Sequence, residues 1–338
     1  MTFSVTFLPR GLTLTVNPNE TIMQAAQRQD FILARACDAG TCQLCEATLV
    51  EGRVSIKNRK EVICANKNTP AKIYPCIAIP QQSIHLEVRN VLSPGELPIK
   101  EIHAQIKSVQ QVSPDVKRVT LRLPAGKKLL FHPGQYLEIL LADGMEAAYS
   151  IATAPNQDRT LELHIRANLE SESYLQLEPL LLEGSILPIR LPKGTVTLHK
   201  LTSAPQIVFV AASTGYSQVQ SMLQGLLENQ DSRSVHVYWG ARHPEDLYLH
   251  QRATELAQSH NQVSYTAVVS DEPDYWPGRT GLVHNVVLED LQLFEQAMFV
   301  LCGSPAMVYA AYDDFIKKGI QPEQIISDVF DYAPRPAS

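Results

Sequence analysis

The cysteines constrain this chain more than any other feature of its sequence. There are six of them, at positions Cys37, Cys42, Cys45, Cys64, Cys76 and Cys302. The first eleven residues contain no basic segment followed by an apolar run, which is the pattern of a secretory signal. Disulfides belong mainly to oxidising compartments outside the cytoplasm, so paired cysteines are not expected here. Metal binding is the better interpretation of four of the six cysteines.

Three of these cysteines follow one another with C-x4-C-x2-C spacing from Cys37 to Cys45, and Cys76 lies further on. This spacing is typical of [2Fe–2S] sites, in which four thiolates converge on two irons. Gly40 and Thr41 keep the loop compact, so that its backbone N–H groups can point at sulfur. Hydrogen bonds to sulfur then tune the potential of the cluster.

A structural zinc site and free thiols are the alternatives to a cluster. Zinc loops usually contain two C-x2-C pairs, and Cys64 and Cys76 do not form a second pair. Because small apolar cysteines commonly pack in protein cores, Cys64 is expected to be a buried free thiol. The sequence therefore favours Cys37, Cys42, Cys45 and Cys76 as the metal ligands.

Composition narrows the class of protein. The chain has 338 residues, 45% of them hydrophobic and 19% charged, which is ordinary for two or three globular domains. Its net charge of −6 argues against a nucleic-acid partner. No stretch approaches the roughly 18 apolar residues that a membrane span needs. We expect a soluble, cytoplasmic protein without a membrane span.

Three domains are predicted, over residues 1–90, 99–200 and 205–332, with a Pro- and Gly-containing linker at 90–98. In the first, alternation predicts a hairpin from Thr2–Phe7 and Leu12–Val16. Caps at positions 19–21 predict a short helix after them. Further strands are predicted at Ala47–Val50 and Ile84–Val88.

The second and third domains differ in their pattern of strands and helices. Short strands between Pro and Gly residues predict an antiparallel barrel in the second, namely Val119–Leu123, Tyr136–Leu141 and Leu161–Arg166. From Gln206 onward, apolar strands alternate with helices, which predicts a parallel sheet with helices on both faces. The strands are Ile207–Ala212, Val235–Trp239, Ser264–Val269 and Met298–Leu301, and the helices are Ser217–Glu228, Asp246–Gln258 and Ala306–Lys317.

The cysteine loop, C-D-A-G-T-C-Q-L-C, resembles that of plant-type ferredoxin domains, and Tyr74–Pro80 resembles the context of their fourth cysteine. The resemblance implies an α+β fold of the β-grasp type. Two residues depart from it. Asp38 stands where the family usually has a basic residue, and this acid should lower the potential of an anionic cluster. Gln43 stands where a glycine is usual.

Two segments of the second domain resemble the ferredoxin–NADP reductase superfamily. They are F-H-P-G-Q-Y at Phe131–Tyr136 and A-A-Y-S-I-A at Ala147–Ala152. The resemblance implies a flavin, FAD or a loosely bound FMN. Tyr149 would then pack on the isoalloxazine and Ser150 would hydrogen-bond near its reactive nitrogen, as a hydride-accepting ring requires.

The sequence lacks the usual cation for binding the flavin phosphate. The superfamily has an arginine at the position of Ala147, and an arginine–phosphate contact is among the stronger polar interactions. Arg166 is the candidate substitute. The resemblance also implies that Ser171 or Ser173 donates to the pyrophosphate.

The third domain contains the turn Ser213–Ser217, where free N–H groups at a helix N-terminus favour phosphate. It resembles the superfamily's strand–GGTG–helix turn, and implies that Thr214 and Gly215 bind a nicotinamide dinucleotide. Further resemblances carry the same implication, at Tyr238–Arg242, Asp246–Tyr248, Trp276–Gly281, Leu301–Met307 and Ser327–Phe330. By them Cys302 and Gly303 border the nicotinamide, Arg242 contacts the dinucleotide and Phe330 lies near the flavin. The alternatives are an inert buried thiol for Cys302 and a plain core aromatic for Phe330.

Nearly the whole chain is similar to the reductase components of bacterial mono- and dioxygenases and to CDP-6-deoxy-glucoseen reductases. This similarity implies electron transfer from NAD(P)H through flavin and cluster to an oxygenase or dehydrase component. Ser150 and Cys302 would lie at the reacting atoms. NADH is favoured over NADPH, because no cluster of basic residues follows Trp239. Two alternatives stay open: a flavin reductase that releases reduced flavin, and a non-enzymatic electron carrier.

Overall fold

Two compact units make up the molecule, Met1–Pro98 and Ile99–Ser338. The computed structural model describes residues 2–88, 90–126, 130–201, 204–271, 276–290 and 296–335. Among these residues, none of the helices has both the length and the apolar character to cross a membrane.

The first unit is built on a seven-stranded mixed sheet. Its elements are β1 Phe3–Leu8, β2 Leu12–Val16, α1 Ile22–Arg28, β3 Ile32–Leu33, β4 Ala47–Ile56, β5 Val62–Ala65, β6 Ala71–Ile73, β7 Ala78–Pro80, β8 Ile84–Glu87 and β9 Val91–Leu92. The sheet order is β2-β1-β8-β4-β5, with β6 and β7 also paired to β4. The predicted hairpin is confirmed, because β1 and β2 pair antiparallel. The predicted helix is confirmed too, and Thr21 caps it in a capping box with Gln24.

One prediction for this unit is wrong. Cys64 is exposed rather than buried. It lies on β5, which ends the sheet order, and the exposed residues of this strand alternate with half-buried ones. A residue on such a strand points to solvent or to the core according to its place in the alternation, and the position of Cys64 turns its thiol outward.

The second unit begins with an antiparallel sheet in the order β13-β12-β15-β10-β11-β14. Its strands and one short helix are β10 Lys100–Ser113, β11 Val116–Arg122, β12 Tyr136–Leu140, β13 Glu146–Ser150, β14 Thr160–Arg166, α2 Glu172–Leu177 and β15 Ile186–Lys193. The three predicted strands correspond to β11, β12 and β14. Alternate residues of these strands form one buried apolar cluster.

The second sheet of this unit is parallel, in the order β19-β18-β17-β16-β20-β21. Its elements are β16 Gln206–Ala212, α3 Tyr216–Glu228, β17 Ser234–Ala241, α4 His250–Ser259, β18 Val263–Val269, β19 Arg279–Thr280, α5 Val283–Asp290, β20 Ala297–Cys302, α6 Pro305–Lys317, β21 Ile325–Ile326 and α7 Val329–Tyr332. Helices α3 and α4 contribute to one apolar cluster, and α5 and α6 to another. These clusters contain alternate residues of β16, so the predicted helices on both faces are confirmed.

The helix predicted from Asp246 begins later than expected. Residues Pro244–Asp246 form a separate 3-10 turn, and α4 starts at His250. Leu247 and Leu249 between them are buried. The segment packs these two leucines into the core instead of continuing the turn as an α-helix.

Candidate functional site

The four predicted metal ligands converge in two pairs. The Sγ atoms of Cys37 and Cys42 lie 3.2 Å apart, and those of Cys45 and Cys76 lie 3.3 Å apart. Within the described residues, no three His, Cys, Asp or Glu side chains surround a single metal position. A two-and-two arrangement is what a binuclear cluster needs, because each iron takes two protein thiolates.

Hydrogen bonds and burial give the four sulfurs different environments. The backbone N–H of Cys42 lies 3.3 Å from the Cys37 Sγ and the Thr41 hydroxyl 3.5 Å from it. These donors, Thr41 foremost, lower the pKa of Cys37. Burial raises the pKa of Cys76, which is only 3% exposed. A buried thiolate needs a nearby cation, and iron bound by the pairs would supply it, so the residues fit an iron–sulfur cluster.

Backbone conformation shapes the loop that carries three of these cysteines. Gly40 has φ +73°, and a Cβ there would lie 2.7 Å from Cδ1 of Ile77. Gln43, at the position where glycine is usual, also has a left-handed φ, of 60°. Such a φ is uncommon for a residue with a side chain. The loop therefore keeps the backbone that a glycine would favour although its side chain differs.

Tyr149 and Ser150, the predicted flavin contacts, end β13 and pair with Leu137 and Tyr136 of β12. Burial raises the pKa of Tyr149 to about 12, so its phenol is neutral near physiological pH. Ala147 lies in the buried apolar cluster of this sheet. The structure thus has an apolar side chain where the superfamily arginine would be.

Arg166, the predicted substitute for that arginine, lies among two acids and a hydroxyl. Its Nε donates to Asp115 at 2.5 Å, its Nη1 donates to the Ser213 Oγ at 2.6 Å, and Asp246 lies 3.8 Å from Nη2. No sequence pattern predicted these partners. Two carboxylates already face the guanidinium, which weakens the case for a flavin phosphate there.

The two candidate serines lie at the start of α2. Ser171 caps the helix, because its Oγ accepts from the backbone N–H of Tyr174. The Ser171 and Ser173 hydroxyl oxygens lie 2.9 Å apart. The structure brings these two hydroxyls together, within the same unit as Tyr149.

The turn between β16 and α3 contacts the end of β20. A Cβ on Gly215 would overlap the carbonyl oxygen of Cys302 and lie 2.9 Å from the backbone nitrogen of Gly303. The close backbone approach expected at Gly215 is therefore an approach to the backbone of Cys302 and Gly303. The structure brings the predicted pyrophosphate turn, including Thr214, together with the predicted nicotinamide border.

Cys302 is only 2% exposed, and burial raises the pKa of its thiol well above the usual range. The thiol is consequently neutral and unsuited to act as a nucleophile or a base. Phe330 packs against Tyr309 and Tyr312, with ring centroids 5.7 and 5.4 Å away. These contacts account for Phe330 as a core aromatic. Arg242 is exposed directly after β17, and its carbonyl accepts from the Asp271 N–H at 3.0 Å.

A buried polar network near this site was not predicted. His164 of β14 contacts Glu162 through Nε2 at 3.0 Å and the Tyr248 hydroxyl through Nδ1 at 2.9 Å. Burial alone would raise the pKa of Glu162, but hydrogen bonds from His164 and Gln220 outweigh it and lower the pKa to about 2. No sequence motif pointed to this network, because it joins two residues of β14 to Gln220 and Tyr248, which lie 58 and 84 residues further along the chain from their partners.

Comparison with known proteins gives a match over each part of the chain. Family models match at residues 5–81 (2Fe-2S iron-sulfur cluster binding domain), 103–199 (Oxidoreductase FAD-binding domain) and 209–313 (Oxidoreductase NAD-binding domain). The solved structure of the Amycolatopsis cytochrome P450 reductase GcoB superimposes with a TM-score of 0.67 at 26% identity, over 99% of this chain and 100% of that one.

Two relatives match over most of their length. CDP-6-deoxy-L-threo-D-glycero-4-hexulose-3-dehydrase reductase of Yersinia pseudotuberculosis is 32% identical, over 98% of this chain and 99% of that protein. The phenol 2-monooxygenase reductase component DmpP of Pseudomonas sp. is 30% identical, over 92% of this chain and 89% of that protein. These matches confirm the predicted resemblance. The chain is therefore an NAD(P)H-dependent oxidoreductase that belongs to the family of reductases joining a 2Fe-2S domain to FAD- and NAD-binding domains.

Proposed function

We propose that this reductase takes a hydride from NADH and delivers single electrons to a separate protein component through its cluster. The observation that supports this most strongly is the convergence of four cysteines in two pairs, Cys37 with Cys42 and Cys45 with Cys76. The same chain contains the turn Ser213–Ser217 predicted to bind the dinucleotide. The names of the relatives support a dehydrase or an oxygenase component as the electron acceptor. When bound, the flavin converts the two-electron transfer into one-electron steps.

The residues of the second unit serve mainly to bind and orient the cofactors. Tyr149 provides an aromatic wall and Ser150 a hydroxyl donor at the end of the same strand. Thr214 and Gly215 offer backbone N–H groups at the start of α3 to the dinucleotide pyrophosphate. Cys302 contributes a neutral, polarisable surface to the nicotinamide, since burial keeps its thiol protonated.

NADH is the proposed donor. A 2′-phosphate would need several cations after β17, but there Arg242 is followed by two acids, Glu245 and Asp246. A third acid, Asp271, donates its backbone N–H to the Arg242 carbonyl. The ratio of kcat/KM for NADH to that for NADPH tests this. We expect a ratio above about tenfold, in line with the repulsion of a dianion by nearby acids.

The domain boundaries 1–90, 99–200 and 205–332 are part of the proposal, and the ranges of the three family matches support them. The sheet order of the first unit supports a β-grasp ferredoxin domain. The wholly antiparallel sheet of β10 to β15 supports a flavin-binding barrel.

Anaerobic mixing of the reconstituted protein with NADH tests the proposed function. We expect both the flavin and the cluster absorbance to bleach, the flavin first. A Cys76→Ala variant should keep NADH–ferricyanide reduction, which needs only the flavin, and lose cytochrome c reduction through the cluster. If the wild type shows no bleaching, the chain is not a reductase of this kind.

Release of reduced flavin is the second candidate, favoured by Ala147 in place of the phosphate-binding arginine. Gel filtration separates the two functions. Retention of about one flavin per chain supports internal electron transfer. Loss of the flavin, together with NADH oxidation that depends on added flavin, supports release.

A further inference from the structure

Ser213 has a backbone conformation that a side chain disfavours. Its φ is 52°, in the left-handed region. A serine in this region carries a cost in free energy, so the surrounding structure must hold it there. This residue opens the turn that leads into Thr214 and Gly215, so its conformation sets the direction of the N–H groups proposed to bind the dinucleotide.

Two contacts hold Ser213 from opposite ends of the residue. Its side-chain Oγ accepts from Nη1 of Arg166 at 2.6 Å. Its carbonyl oxygen accepts from Nε1 of Trp239 at 2.9 Å. Trp239 is fully buried and its ring stacks on Tyr216 at 4.0 Å, with 11° between the planes. The indole is therefore a rigid anchor for the carbonyl.

Both contacts lead back to β14 of the flavin-binding part. Arg166 lies on this strand, and so does His164, two residues earlier and thus on the same face. His164 bonds to the Tyr248 hydroxyl at 2.9 Å, and the Tyr248 ring meets Trp239 edge-on at 5.2 Å. One face of β14 thus supports Ser213 directly through Arg166 and indirectly through Tyr248 and Trp239.

The acids around Arg166 fit a supporting role better than a phosphate-binding one. Asp115, just before β11, accepts from its Nε, and Asp246 lies 3.8 Å from its Nη2. They fix the orientation of the guanidinium and offset its charge. Of the two contacts that Arg166 makes to the nicotinamide domain, the donation from Nη1 to Ser213 at 2.6 Å is the hydrogen bond, whereas Asp246 lies 3.8 Å from Nη2.

We propose that Arg166 is a positioning residue for nicotinamide dinucleotide binding: it holds Ser213 in the left-handed conformation that shapes the turn at Thr214 and Gly215. This proposal rests on the proposed function, because it assigns the turn to NADH. It makes the flavin-binding strand part of the dinucleotide site. It also replaces the role predicted for Arg166 as a cation for flavin phosphate.

A double-mutant cycle tests the proposal, because glycine adopts a left-handed φ without support. Arg166→Ala should raise the KM for NADH in ferricyanide reduction by about tenfold, the size expected when a hydrogen bond to a charged group is lost. The kcat and the flavin content after gel filtration should change less than twofold. Adding Ser213→Gly to Arg166→Ala should return the KM to within about threefold of wild type, a non-additive result that indicates coupling.

Arg122→Ala, at an exposed arginine of the neighbouring β11, is the matched control and should leave the KM unchanged. Binding of NAD⁺, followed by tryptophan fluorescence, repeats the cycle without turnover, so a wild type that binds NAD⁺ but oxidises no NADH would refute the proposed function alone. Loss of flavin in Arg166→Ala without rescue by Ser213→Gly would overturn the proposal in favour of phosphate binding. Equal KM values for the single and double variants would overturn it as well.

Discussion

The side-chain nitrogen of Gln218 donates to the Asp328 carboxylate at 2.7 Å. The same nitrogen donates to the Gly134 carbonyl at 2.7 Å. The other carboxylate oxygen of Asp328 accepts from the backbone N–H groups of Thr195 and Val196, at 3.0 and 3.2 Å. One side chain near the C-terminus thereby joins α3 to the loop after β15. Its position makes the stability of the second unit depend on pH.

The free energy of unfolding should rise as pH falls from 8 to 5.5, because of Asp328. Burial raises its pKa from 3.8 to about 6, so the folded state binds a proton that the unfolded state does not. A raised carboxyl pKa makes the folded state more favourable as pH falls toward and below 6, by about 1 kcal/mol at pH 5.5 relative to pH 8. Asp328→Asn should lose this dependence.

Urea unfolding followed by tryptophan fluorescence measures it, because both tryptophans, Trp239 and Trp276, lie in the second unit. The difference in unfolding free energy between wild type and Asp328→Asn should move in favour of wild type as pH falls. A difference that is constant across this range would contradict the prediction.

Iron content should distinguish Cys76, the predicted fourth ligand, from Cys64, the predicted free thiol. Cys76→Ser is expected to lose most of the iron and sulfide, because the Cys45 thiol then lacks its partner at 3.3 Å. Cys64→Ser should keep about two irons per chain, since Cys64 is exposed on β5 and outside the pairs. Colorimetric iron and sulfide assays after anaerobic reconstitution measure both variants.

Cluster retention should respond differently to two changes in the cysteine loop. Gln43→Gly relieves a left-handed φ of 60° and should slow cluster loss to a chelator, or leave it unchanged, with a gain of at most about 1 kcal/mol. Gly40→Ala places a Cβ 2.7 Å from Ile77 at φ +73° and should speed cluster loss. The decay of cluster absorbance in chelator measures both. Slower decay in Gly40→Ala than in wild type would be inconsistent with the loop geometry.

Gly215→Ala should destabilise the second unit more than an ordinary glycine replacement. Its Cβ would overlap the Cys302 backbone, and such overpacking costs about 3 kcal/mol when backbone must move. Gly184→Ala is the control, because its Cβ meets nothing within 4 Å and only its φ of +88° is unfavourable, which costs about 1 kcal/mol. Denaturant unfolding compares the two, and equal losses would refute the packing argument.

Local patterns predicted much of this molecule. The spacing from Cys37 to Cys45 predicted the loop of metal ligands, and the capping signal at Thr21 predicted α1, which the structure contains. Apolar runs such as Ile207–Ala212 predicted the parallel sheet, because strands buried on both faces have no polar alternation. Each of these features depends on neighbours close in sequence, where spacing determines which side chains face each other.

Other features depended on contacts between distant residues, and the sequence did not reveal them. Cys64 is exposed because β5 lies at the end of a sheet order that the sequence does not state. Arg166 was predicted to bind the flavin phosphate because this sequence lacks the superfamily's arginine. Its partners in the structure, Asp115 and Ser213, lie 51 and 47 residues away along the chain.

The sequence by itself determined the family of the chain and the order of its three domains and predicted the four thiol ligands, since these depend on residue identity and short spacings. Only the tertiary structure decided which acids surround Arg166, what holds Ser213 in a left-handed conformation and why the Asp328 carboxyl is buried. The physical reason is that hydrogen bonding and burial act over a few ångströms in space. Folding brings together groups whose separation along the chain gives no sign that they will meet.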